Sequence, residues 1–157
     1  MFDVNPSAPT FVVGTDFTAS SRAAFDSGIR MAKEQGGRVV LVHAVRPLGA
    51  PGLEMTRPDT DKTENETTEP VGEDGIAGSD WVDLARSQGV EASFIARPGL
   101  PATILLEEAE RVQAKAVVLG SSGKSGLEKA ILGSVARDVR KGTRRPVVVV
   151  HGHFEAA

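Results

Sequence analysis

The stretch AVVLGSSGKSGLEKAILGSVARDVRK, Ala116 to Lys141, decides how the whole chain reads. Its opening, Ala116 to Leu119, is a short continuous apolar run, as expected of one strand buried on both faces. Gly120, Gly123 and Gly126 then break the run, and Gly133-Ser134 lead into a helical pattern. A strand, a glycine-rich turn and a helix start together make an anion site. Amide N–H groups point outward there, the helix dipole favours negative charge, and glycines let a ligand approach the main chain.

Two common phosphate motifs fail on these residues. Gly123-Lys124-Ser125 looks like the end of a Walker A loop, but that motif needs a glycine at position 118, which is Val118. The dinucleotide fingerprint needs a glycine two residues before Gly123, and Ser121 stands there. What holds is the spacing Gly-x2-Gly-x9-Gly-Ser over Gly120, Gly123, Gly133 and Ser134. On that motif, placed after a strand and before a helix in the last third of the chain, the sequence resembles the universal stress protein family in its ATP-binding branch. The bland alternative is a surface loop that happens to be rich in Gly and Ser, and the placement argues against it.

Outward from this stretch, apolar periodicity supplies the other elements. Thr10 to Gly14 reads as a first strand, followed by the turn Thr15-Asp16-Phe17-Thr18. Thr18 or Ser20 can cap the next helix, whose inner face is Ala24, Phe25, Gly28, Ile29 and Ala32, and which ends at Gly36-Gly37. Arg38 to Val45 is a second strand. Its His43 reads as a strand-end histidine satisfied by backbone rather than a ligand. Asp80 to Gln88, beginning as early as Asp74, reads as a second helix, and Val90 to Ala96 as a third strand at or near the sheet edge. Arg97-Pro98-Gly99 reads as a turn. Pro101 opens a third helix that ends near Gln113. Ser134 is placed to cap the last helix, with Val135 and Val139 buried, and Pro146 to His151 is the fifth strand.

Strands alternating with helices predict one α/β domain over residues 1–157, a doubly wound, Rossmann-like fold on a five-stranded parallel sheet. The family resemblance implies strand order 3-2-1-4-5, which places the first and fourth strands side by side where the order reverses. Ligands in such sheets bind beyond the strands' carboxyl ends at that reversal.

Composition narrows the function. The net charge of −3 is unevenly spread, because residues 51–80 hold nine acids against two bases, a net of −7 that leaves +4 elsewhere. A mildly basic body suits a phosphate ligand and falls short of a nucleic-acid stripe. Residues 56–70 contain no aliphatic or aromatic side chain, so an acidic, disordered insertion is expected at about 51–73. Its threonines, Thr63, Thr67 and Thr68, could serve as kinase targets, although a plain soluble insertion is the simpler reading. Zero cysteines exclude disulfides and thiolate metal sites and fit a cytoplasmic protein. The start MFDVNPSAPT is not a signal peptide, and no run is apolar enough for a membrane span.

The resemblance implies the site. Asp16, with Thr15 and Phe17, would hold the nucleoside; Ala44, after the Leu41-Val42-His43 segment, would meet adenine through its backbone. Leu119, Gly120, Ser121, Ser122 and Gly123 would line one side of the phosphates, and Gly133, Ser134 and Val135 the other. ATP, or AMP or ADP, is the expected ligand, with Mg2+ compatible. Lys124, Lys129 and Arg137 could neutralise phosphate charge but read better as solvent-facing residues. No activated nucleophile or metal triad is present in the pattern, and His151 and His153 are too few for zinc, so no catalytic residue is assigned. The expectation is a nucleotide-dependent switch or sensor in stress response, with at most weak ATPase activity. Same-fold alternatives are a module binding cyclic AMP or only protein partners, and a slow ATP hydrolase. The resemblance also implies a homodimer joined through the last strand, Val147 to Val150, without nucleic-acid or membrane partners.

Overall fold

A computed structural model describes residues 7–45, 73–121 and 133–151. In chain order the elements are β1 (Thr10–Gly14), α1 (Ala19–Gln35), β2 (Arg38–Val45), α2 (Glu73–Ser87), β3 (Glu91–Pro98), α3 (Pro101–Arg111), β4 (Ala116–Gly120), α4 (Ser134–Gly142) and β5 (Val147–Val150). All strand pairs are parallel, in the order β3-β2-β1-β4-β5. The doubly wound sheet expected from the sequence is thus the one observed.

The period of two in β1 sorts its side chains between two cores. Phe11 and Val13 join Ala24, Phe25, Ile29, Val82 and Ala85 under α1 and α2. Val12 joins Ile104, Leu105, Ala109, Ala136 and Val139 under α3 and α4. With a buried face on each side, β1 and β4 are apolar apart from Thr10, whose hydroxyl accepts from Arg38 Nε at 3.1 Å. All five β1 residues are buried accordingly.

Helix α1 begins where the sequence suggests. Thr18 is the N-cap, and it forms a reciprocal capping box with Ser21. Gly36 closes the helix in the left-handed conformation, φ 69°. The inner face is as read, with Ala24, Phe25, Gly28, Ile29 and Ala32 all buried.

Four local readings change. Helix α2 starts at Glu73, just before the earliest expected start at Asp74, and ends at Ser87. Arg97 and Pro98 continue β3 instead of turning, because Pro98 pairs with Val45 on an edge strand whose other side needs no donor. Helix α3 ends at Arg111, and Gln113 follows with φ 55°. The cap of α4 is Gly133 rather than Ser134, and the buried pair is Ala136 and Val139, with Val135 half-buried. The expected acidic insertion, apart from residue 73, lies outside the described residues, as do Lys124, Lys129, Gly126 and His153. No helix among the described residues is long and apolar enough to cross a membrane.

A bidentate ion pair ties the approach to β5 onto α3. Arg145 Nε and Nη2 donate to Glu110 Oε2 and Oε1, each at 3.0 Å, and Nη1 donates to the Ala114 carbonyl at 3.0 Å. The hydrogen bonds from Arg145 hold the Glu110 carboxyl below its ordinary value. A lowered carboxylate stabilises the fold above its unfolded pKa and loses that contribution as pH falls through the folded one. Arg145→Gln is therefore expected to lower the urea midpoint more at pH 7 than at about pH 3. The residual difference at low pH reports the lost bond to Ala114.

Candidate functional site

The carboxyl ends of β1, β2 and β4 open into a crevice of about 540 Å³ on the α3/α4 face. Small-molecule sites commonly have this size. The reversal of strand order leaves this gap, since α1 leaves β1 toward one face and α4 approaches β4 on the other. Thr15, Asp16, Ala44, Leu119, Gly120, Ser121, Gly133, Ser134 and Val135 all line it. Phe17 does not, and Ser122 and Gly123 lie outside the described residues.

The β1 end is fixed by a dense polar turn. Thr15 N–H still bonds the Val42 carbonyl at 2.9 Å, and its Oγ1 accepts the Phe17 N–H at 2.8 Å. Asp16 Oδ1 accepts from the Thr18 N–H (3.0 Å), the Thr18 hydroxyl (2.5 Å) and the Ser21 hydroxyl (2.9 Å). Asp16 thus plays the turn role that is usual before a helix. Its described bonds all converge on Oδ1, and the side chain is exposed at the crevice. The second carboxylate oxygen is the one available to an incoming hydroxyl or amine.

At the β2 end, strand parity decides what faces the gap. The Val42 carbonyl points to β1, so the N–H and C=O of Ala44 point the same way. But β1 has already turned off at Thr15. Ala44 therefore offers a main-chain donor and acceptor to the crevice, with no partner among the described residues. His43 points to the α1/α2 side. Its Nδ1 lies 3.0 Å from the Thr15 carbonyl. A carbonyl can only accept, so Nδ1 carries the proton. The backbone-satisfied reading of His43 is the one observed, although the residue also lines the crevice.

The start of α4 forms the opposite wall. The first intrahelical bond is Arg137 N–H to the Gly133 carbonyl, 3.0 Å, and no side chain caps the helix. The amides of Ser134, Val135 and Ala136 consequently have no partner among the described residues, and all three residues line the crevice. Uncapped amides at the positive end of a helix dipole attract anions. Because Ser134 is not the cap, its exposed hydroxyl is not committed to the helix.

The glycines divide the labour differently from the motif reading. A Cβ on Gly120 would run into Ser20, including its carbonyl at 2.7 Å, so this glycine lets α1 pack on β4. Gly133 would meet the Ser121 carbonyl at 3.0 Å, a close approach of β4's end to α4. Gly14 would meet Leu119 at 2.7 Å and Leu105 at 3.1 Å, which marks the crevice floor.

Sequence reasoning missed several lining residues: Gly14, Thr18, Ser20, Ser21, Val42, Pro101, Leu105 and Ala136. Ala136 could have been found, because it is the third orphan amide once Gly133 is the cap. Pro101 carried a signal too, since a proline at N1 places the start of α3 at the carboxyl edge of the sheet. Asp16 is the single carboxylate among the lining residues, and no three His, Asp or Glu side chains among the described residues gather as a metal site.

The model of the universal stress protein family matches residues 9–151. Universal stress protein MJ0531 of Methanocaldococcus jannaschii is 32% identical over 140 residues, covering 88% of this chain and 79% of that protein. Among solved structures, a universal stress protein in complex with cAMP superposes with a TM-score of 0.67 at 24% identity, covering 92% of this chain and 99% of the other. The Archaeoglobus fulgidus universal stress protein in complex with dAMP gives 0.60 at 22%, covering 94% and 100%. These structural likenesses establish the shared fold.

Proposed function

The chain belongs to the universal stress protein family, and on that premise we propose that its crevice binds an adenine nucleotide, ATP foremost, and that the protein works as a nucleotide-dependent switch rather than a catalyst. One observation carries this reading: the amides of Ser134, Val135 and Ala136, without a partner among the described residues, face a gap whose other wall offers Asp16 and the Ala44 main chain. The amides suit phosphate oxygens, the carboxylate suits ribose hydroxyls, and a paired donor and acceptor suit the adenine edge. Ser121 extends the phosphate wall from β4, and the described wall ends there, short of Ser122 and Gly123. The structural relatives solved with cAMP and dAMP support an adenine ligand. A Mg2+ ion would draw its ligands from phosphates and water, with Asp16 as the protein's carboxylate.

No described residue that lines the crevice is placed as a nucleophile with a base, so turnover is expected to be negligible beside binding. Isothermal calorimetry with ATP, AMP and cAMP tests the reading. Saturable heat with ATP, together with adenine nucleotide released on denaturation of the purified protein, is the expected result. Heat with cAMP alone would favour a cyclic-nucleotide module, and no heat with any of the three would remove the reading.

The same proposal includes a cytoplasmic homodimer joined at β5. Val147–Val150 is an edge strand with half-buried valines. The Pro146 and Val150 carbonyls bond β4, so by parity the Val149 N–H and C=O point outward. Val149→Pro removes one outward donor without touching the β4 ladder, and proline is tolerated on edges. Sedimentation velocity is expected to show a dimer in the parent and a monomer in Val149→Pro, with unchanged circular dichroism.

A further inference from the structure

The turn after β1 faces two ways. Asp16 and Thr18 line the crevice, while Phe17 between them sends its ring under α2. That ring lies 4.9 Å from His43, 5.2 Å from Trp81 in an edge-to-face arrangement, and 6.0 Å from Phe94. Trp81 in turn lies 5.0 Å from Phe25, with the Arg22 guanidinium 5.5 Å over its ring. Phe17 also has φ 64°, a left-handed backbone that bulky residues rarely take. A residue persists there only where its surroundings over-determine it, and here the surroundings are the Thr15 Oγ1 bond and the aromatic box. His43 belongs to both sides, since it lines the crevice, bonds the Thr15 carbonyl and packs on Phe17.

We propose that Phe17 is a positioning residue: its ring, clamped by Trp81, His43 and Phe94, sets the turn that aims Asp16, and so couples occupancy of the crevice to the packing of α2. The coupling runs both ways, because linkage is reciprocal. A partner that shifts Trp81 would change ligand affinity by the same factor that the ligand changes its own. The ligand half of this proposal rests on the nucleotide reading above, and the clamp itself does not.

Trp81 is the chain's single tryptophan, so its emission reports the box alone. Amide hydrogen exchange on the full chain without ligand tests the clamp. In Trp81→Ala the Phe17 and Thr18 amides are expected to exchange at least about tenfold faster, while Val12 and Val117 in the core stay as in the parent. Trp81→Phe is expected to restore protection to within about twofold, since it keeps an aromatic edge. Unchanged turn amides, or turn and core amides accelerating together, would overturn the clamp. Should Trp81→Ala fail to fold, Phe17→Leu keeps apolar bulk without the aromatic edge, and its Thr18 amide is expected to lose protection likewise. With ATP as probe, Trp81 emission is expected to change saturably with the calorimetric midpoint. Heat without any emission change would overturn the coupling. If ATP gives no heat, the nucleotide reading fails, and the ligand-free exchange still decides the clamp.

Discussion

Ser134→Asp is expected to abolish ATP binding while leaving the melting midpoint unchanged or slightly raised. Ser134 is the first residue of α4, where a carboxylate lies at the positive end of the helix dipole and stabilises the helix by about 0.3–1 kcal/mol. The same carboxylate would occupy the place proposed for phosphate. Two unit charges 4 Å apart repel by about 4 kcal/mol at an effective dielectric of 20, enough for a loss of at least ~100-fold in affinity. Binding and stability thus move in opposite directions, which separates a lost site from a damaged fold. Adenosine, which lacks phosphate, is expected to bind the variant and the parent alike. Calorimetry and thermal melts check both halves.

The second large effect concerns a tight seam of the fold, where α1 packs on β4. Gly120→Ala puts a methyl group against the Ser20 backbone, with the Ser20 carbonyl only 2.7 Å from the new atom. Backbone cannot rotate away, so α1 must lift from β4, at a cost of about 1–3 kcal/mol. That corresponds to a fall of roughly 3–10 °C in the melting midpoint. Ser20 lies between Thr18 and Ser21, the two residues that hold Asp16 Oδ1, so nucleotide affinity should drop as well. Ser20→Gly in the same chain removes the side-chain clash but not the backbone one, and is expected to rescue stability only in part. Full rescue would show that only the Ser20 hydroxyl objected.

The frame of this protein was legible because its apolar runs admit few other readings. Thr10 to Gly14 and Ala116 to Leu119 are too short for helices and too apolar for surface strands. The strand order came with the family resemblance, and the observed sheet agrees with it. Boundaries were less legible where a local signal met a tertiary one. Arg97-Pro98-Gly99 carries a turn composition, yet pairing with Ala44 and Val45 draws Arg97 and Pro98 into β3. Ser134 has the side chain of a cap, but Gly133 takes the cap's extended backbone, φ −71° and ψ 164°.

The candidate site was legible in its walls and not in its joints. Asp16, Ala44, Gly120, Ser121 and Ser134 line one crevice. Phe17 enters the expected site beside Asp16 through the resemblance, and nothing in the sequence pattern shows that its backbone is left-handed. The aromatic box escaped notice for the same reason. Phe17, His43, Trp81 and Phe94 come from four separate segments, and only the fold brings them together.

The central claim is that the orphan amides at the start of α4 hold phosphate, and amide chemical shifts in isotopically labelled protein measure this directly. ATP at saturation is expected to move the Ser134, Val135 and Ala136 amide resonances markedly downfield, whereas adenosine leaves them in place. If ATP binds and those three resonances stay where they were, the phosphates lie elsewhere and the account of this crevice is wrong.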